Sequence, residues 1–201
     1  MEESLTILYT QNLAGDLHLL PRLHTQIARL RGAARGRSLL LDMGDACAAT
    51  IWHCAITGGR SMLVALDGMG YDAANVQGYA PADVRDMLGE NVRMQTISRD
   101  HDGYLDDVYL TLDTRQAHPH AALTIFMETA DETTLDSGFL LLKTVERGQI
   151  GMATVRGGRL TEAIVQPLLP SVYPDPTIAG VVEFVEAEAR YAQKRRERQG
   201  K

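Results

Sequence analysis

Two textures of apolar residues alternate along the first half of the chain: short unbroken runs, and stretches in which they recur every three or four positions. Residues 5–10 (LTILYT) form a run suited to a central strand and end in the polar pair Gln11-Asn12. Leu20, Leu23, Ile27 and Leu30 then repeat at helical spacing with Arg22, Gln26 and Arg29 between them. This predicts an amphipathic helix over 19–30, stopping near Gly32. Residues 38–43 (SLLLDM) lack polar alternation, as a parallel strand covered on both faces should. Strand, helix and strand make a right-handed crossover.

A second helix is predicted over 59–69, with Met62, Leu63, Leu66 and Met69 facing inward and Gly70 placed to stop it. Residues 71–76 follow as a third strand, and 80–88 as a helix that begins with Pro81. Beyond it the texture changes to strands and turns. Residues 92–98, 108–112, 122–127 and 139–144 are strand candidates, and 150–155 and 160–165 flank Gly157-Gly158 as the arms of a hairpin. Asp175 can cap a closing helix over about 176–198, whose face carries Ile178, Val181, Val182 and Val185. The pattern as a whole is that of one α/β domain over residues 1–201.

Composition narrows the function classes. At 201 residues and 45% hydrophobic, the chain can bury a real core. The longest apolar runs, 62–66 and 139–142, are far too short to cross a bilayer, and Met1-Glu2-Glu3 begins no signal peptide, so a cytoplasmic protein with no membrane partner is expected. A net charge of -6 argues against nucleic acid as the general partner. The one basic cluster, 194–198 (KRRER), either complements the C-terminal dipole of its helix as a solvated tail or contacts an acidic partner. Cys47 and Cys54 have no second pair to complete a thiolate zinc site and read as buried, reduced side chains.

Three segments carry a family likeness. Residues 5–17 (LTILYTQNLAGDL), 40–45 (LLDMGD) and 57–73 (TGGRSMLVALDGMGYDA) resemble the start of the 5′-nucleotidase branch of the calcineurin-like metallophosphoesterases. The likeness runs continuously over about 4–79 and returns over about 139–190; residues 83–138 match no part of the family and form a shorter segment. It implies a layered α/β/β/α sandwich, reduced in size. It also implies a centre in which two divalent cations hold a phosphate and a hydroxide between them. The family's opening Asp-Leu-His-Gly reads Asn12-Leu13-Ala14-Gly15 here. Gly44-Asp45 is kept, with Asp45 at the place of the carboxylate that bridges both metals and Ala46 where the family commonly has Asn. The Asn-His-Glu motif falls on Gly78-Tyr79-Ala80.

One bridging carboxylate cannot gather two dications. The expectation is therefore an inactive relative with no catalytic residues and no bound metal. Its old cleft, with Asn12, Gly44, Asp45, Gly78 and Tyr79, would take a small anion or nucleotide through backbone amides, or serve as a scaffold or homo-oligomer surface. Asp45 is equally explained as a turn or helix cap, and Asp42 as structural. The alternative is a working phosphoesterase. His118-Pro119-His120 has the His-x-His spacing of the family's late ligand motif, and with Asp45 and His53 it would hold one zinc or manganese ion that activates a water. A His-Pro-His turn between strands also needs no metal. His18, His24 and His101 read as ordinary surface or helix histidines.

Overall fold

The computed structural model describes residues 4–88, 92–113 and 115–199, so Met1-Glu2-Glu3 lies outside it. Strand β1 (Ser4–Thr10) leads through a short 3-10 turn (Leu17–Leu19) into α1 (Leu20–Ala33), and β2 (Arg37–Asp42) returns parallel to β1 with Ile7 opposite Leu39 and Tyr9 opposite Leu41. Helices α2 (Trp52–Thr57) and α3 (Arg60–Gly68) precede β3 (Ala73–Asn75), and α4 (Ala82–Leu88) precedes β4 (Gln95–Ile97). The chain then builds β5 (Gly103–Leu105), β6 (Val108–Thr111), β7 (Leu123–Ala130), β8 (Thr134–Asp136) and β9 (Phe139–Lys143). A hairpin of β10 (Gln149–Arg156) and β11 (Arg159–Pro167) follows, and α5 (Pro176–Gln199) closes the fold.

The strands form two sheets, in the orders β11-β10-β1-β2-β3-β4 and β5-β6-β7-β9-β8. Residues of β1 alternate between two cores, because successive side chains of a strand point to opposite faces. Ile7 and Tyr9 join Leu39, Leu41, Leu110 and Ile125 in the core between the sheets. Leu8 joins Leu23, Leu63, Leu66 and Val182 in the core under the helices. The first sheet is therefore apolar on both faces, which explains why residues 38–43 lack polar alternation. Helices α1 to α5 all contribute to the helical core. The outer face of the second sheet is covered in part by a loop, with the Arg115 guanidinium 5.1 Å from the Phe126 ring centroid and the His118 amide on Thr124 Oγ1.

The predicted crossover, hairpin and closing helix all form. Asp175 caps α5 as expected, its Oδ1 accepting from the Thr177 and Ile178 amides at 2.8 and 3.0 Å. Helix α2 and strands β5 and β8 have no counterpart in the predicted pattern. Each is six residues or fewer, too short for hydrophobic period to declare it. The cysteines differ from expectation more sharply: Cys47 and Cys54 form a disulfide, with Cα atoms 5.7 Å apart. A turn at 48–51, closed by the Ile51 amide on the Ala48 carbonyl just before α2, folds the chain back between them, and that return is invisible in a seven-residue spacing. Among the described residues no helix is long and apolar enough to cross a membrane.

Tyr9 explains a glycine. It lies opposite Gly151 in the β1–β10 ladder, and a Cβ added at Gly151 would fall 2.0 Å from its ring. Gly151→Ala is expected to destabilise the protein by about 1–3 kcal/mol through overpacking, read as a lower midpoint in urea denaturation.

Candidate functional site

Where β1, β2 and β3 end, two loops lie side by side. Residues 12–15 continue the β1–β2 pairing beyond the strands: the Asn12, Ala14 and Gly15 amides donate to the Gly44, Asp45 and Ala46 carbonyls at 3.1, 2.9 and 2.8 Å. Three non-glycine residues here, Asn12, Ala14 and Asp45, hold left-handed backbone with φ of 57°, 52° and 57°. Such a conformation costs an L-residue about 1 kcal/mol or more, and Ala14 has no polar side chain to offset it. The loops thus keep a demanding shape at the positions where the sequence resemblance places metal ligands.

The side chains at this end are mostly engaged by the fold. Asn12 Nδ2 donates to the Val145 carbonyl at 3.3 Å, tying the first loop to the chain after β9. Asn75, at the end of β3, donates through Nδ2 to the Met43 and Met127 carbonyls and so joins the two sheets. Asp42 is fully buried: the Gly44 amide donates to its Oδ2 at 3.3 Å, and Thr10 Oγ1 lies 3.4 Å from its Oδ1 and 2.8 Å from the Tyr71 hydroxyl. Burial raises the Asp42 carboxyl well above the ordinary carboxylate range, and the nearby Asp45 charge adds to the rise. Asp45 itself is exposed.

Tyr79 follows β3 at the same end of the sheet, its amide donating to the Val76 carbonyl. Its hydroxyl is closed off from solvent and has no hydrogen-bond partner among the described residues. Burial, then the charges of Asp42 and Asp45, push its ionisation well above the usual tyrosine value, so the group stays a neutral phenol. Its ring packs on Gly59, where an added Cβ would lie 2.8 Å from Tyr79 Cδ2. Gly78 has open space around it, with φ of 88°.

The histidines go elsewhere. His53 is buried in α2, with Nδ1 2.7 Å from Ser61 Oγ and Nε2 2.9 Å from the Gly15 carbonyl, so both ring nitrogens are engaged. His118 is half-buried and His120 exposed at the entry of β7, with the His118 ring on Tyr109 at 4.4 Å between centroids. The exit of β7, at Met127, is the part that meets Asn75. The alternative grouping of Asp45, His53, His118 and His120 around one ion is therefore not formed: β7 itself separates the histidine turn from the strand ends. Among the described residues, the one group of His, Cys, Asp or Glu with all ligand atoms within 4.8 Å is Cys47, His53 and Cys54. Tyr79 was expected in this cleft from the sequence; Asn75 was not, and a polar residue closing a buried strand was the available signal.

Asp42 gives a pH test. Its folded-state carboxyl titrates above its unfolded value of about 3.8, so between those two values only the folded chain keeps the proton, and stability falls as pH rises through that window. Asp42→Asn, which mimics the protonated form, is expected to be more stable than the native protein at pH 7. The difference should shrink as pH falls toward the ordinary carboxylate range in urea melts. Tyr79→Phe, which removes an unpartnered buried hydroxyl, should stabilise the ligand-free protein by about 1–3 kcal/mol, measured the same way.

Sequence comparison finds no family model and no curated protein that matches the chain. Solved structures do match. A calcineurin-like phosphoesterase, YfkN, from Bacillus subtilis aligns with a TM-score of 0.60 at 10% identity, over 96% of this chain and 100% of that one. The NAD nucleotidase of Haemophilus influenzae aligns at 0.64 with 9% identity, and a 5′-nucleotidase precursor from Thermus thermophilus at 0.62 with 13%; each covers 94% of this chain. The chain spans 61% and 59% of those two nucleotidase chains. At such identities the likeness is one of fold, and the fold it shows, two stacked sheets with helices, is the calcineurin-like metallophosphoesterase type that the opening motifs imply.

Proposed function

We propose that this chain is a 5′-nucleotidase-like protein that binds a small ligand at the ends of β1, β2 and β3 without hydrolysing it. The fold type implies a pair of divalent ions, and the donors present do not fit them. Two dications in one site need many oxygen or imidazole ligands at once. Here Ala14, Gly78 and Ala80 offer no side-chain donor, and Asn12 is tied to Val145. Asp42 is buried on Thr10 and Gly44, which leaves the exposed Asp45 carboxylate.

The observation that carries the reading is the Tyr79 hydroxyl, closed from water, within the field of the Asp42 and Asp45 charges and without a hydrogen-bond partner among the described residues. A buried polar group left unsatisfied is destabilising, and a ligand that accepts from Tyr79 removes that cost. The Asn12, Ala14, Gly15 and Gly44 amides are already engaged, so a cradle of amides for a bare oxyanion has little support. A ligand that donates hydrogen bonds to Asp45 fits better. The ribose hydroxyls of a nucleoside or nucleotide have that chemistry, with any phosphate directed away from the carboxylate.

The test is hydrolysis of AMP and of p-nitrophenyl phosphate by the oxidised protein with added Mn²⁺ or Zn²⁺. No turnover above a protein-free control is expected, and Asp45→Ala should leave that unchanged. Metal-dependent turnover that disappears in Asp45→Ala would overturn the reading. Adenosine and AMP are expected to raise the melting temperature of the native protein, and less so in Tyr79→Phe.

A further inference from the structure

Cys47, His53 and Cys54 sit behind the loops that carry Asn12 and Asp45 and have chemistry of their own. Cys47 follows the second cleft loop by one residue, and His53 and Cys54 are neighbours in α2. All three side chains are buried, at 7%, 3% and 4% exposure, and their ligand atoms lie within 4.8 Å of one another. The sulfurs are joined in the disulfide state.

We propose that these residues form a redox-gated metal site: with the disulfide reduced, the two thiolates and the His53 imidazole bind one thiophilic divalent cation, of which Zn²⁺ is the best match. Two sulfurs and one imidazole are a borderline-soft donor set that suits zinc and disfavours magnesium or manganese. A zinc–sulfur distance of about 2.3 Å lets two cysteines share an ion once their sulfurs part, and a Cα separation of 5.7 Å allows this by side-chain rotation. His53 already has partners at both ring nitrogens. One nitrogen can turn to the metal while the other keeps its bond, to Ser61 Oγ or to the Gly15 carbonyl, and that second bond fixes the ring. The fourth position is left for water or an added ligand.

The chemistry balances with a dithiol as reductant. One of its thiolates attacks a sulfur of the Cys47–Cys54 bond, and its second thiolate closes the reductant's own disulfide. Two electrons and two protons pass to the cysteine sulfurs, and the incoming cation displaces both protons.

Position gives the switch a reader. A Cβ at Gly15 would lie 3.0 Å from Cys54 Sγ, and the Gly15 amide bonds the Ala46 carbonyl, next to Cys47. The sulfurs therefore touch both loops that frame the cleft, and a change from disulfide to metal alters their footing.

The experiment is a Co²⁺ titration of the full chain, reduced with dithiothreitol and freed of it under nitrogen. One equivalent is expected to develop a thiolate-to-cobalt charge-transfer band that Zn²⁺ abolishes, with none in the oxidised protein. His53→Gln should weaken binding about tenfold or more, and the double variant Cys47→Ser/Cys54→Ser should lose the band. Should those variants misfold, native protein alone decides: Zn²⁺ is expected to slow alkylation of Cys47 and Cys54 by iodoacetamide, followed by mass spectrometry. Absence of the band or of protection in the reduced native chain would overturn the proposal, as would an equal band in the oxidised protein.

Discussion

The structure depends on β1 being buried on both faces. Ile7 and Tyr9 anchor the core between the sheets while Leu8 anchors the core beneath the helices, so one seven-residue strand holds both layers in register. Its partners differ in direction, β2 parallel and β10 antiparallel, which places the first and last thirds of the chain side by side. The loop leaving β1 has its shape set by the loop leaving β2, three amides of one on three carbonyls of the other. The cleft is thus a consequence of the same pairing that makes the core.

That arrangement bears on the contrast between frame and chemistry in the function we propose. Backbone pairing does not depend on which side chains a loop carries, so this loop holds its left-handed residues with Asn12 and Ala14 in it. Metal coordination does not survive in this way, because it resides in side-chain donors alone. We read the strained loops and the unpartnered Tyr79 hydroxyl as features of a ligand site that has kept its walls.

Much of the fold was legible in the sequence because long elements announce themselves by period. The run 5–10, the repeat Leu20, Leu23, Ile27, Leu30 and the Asp175 cap each have one physical explanation, and the structure follows it. The site was legible only where a residue's role is local. Asp42 as a buried structural group could be anticipated from its place at the end of an apolar strand. Pairing across distance could not. Which end of β7 receives His118, whether Cys47 meets Cys54, and what Tyr79 finds above it depend on how strands stack, and residues 83–138, though they showed strands, matched no family segment that would fix their stacking. The turn at 48–51 and the start of α2 bring the cysteines together, and at six residues α2 is shorter than the window in which a helical period can be recognised.

The central claim is that too few donors stand around Asp45 to retain paired cations. Crystals of the oxidised protein soaked in Mn²⁺ and measured at the manganese edge test it most directly. The account predicts no pair of anomalous peaks beside Asp45. Two peaks about 3.5–4 Å apart, bridged by that carboxylate, would contradict it.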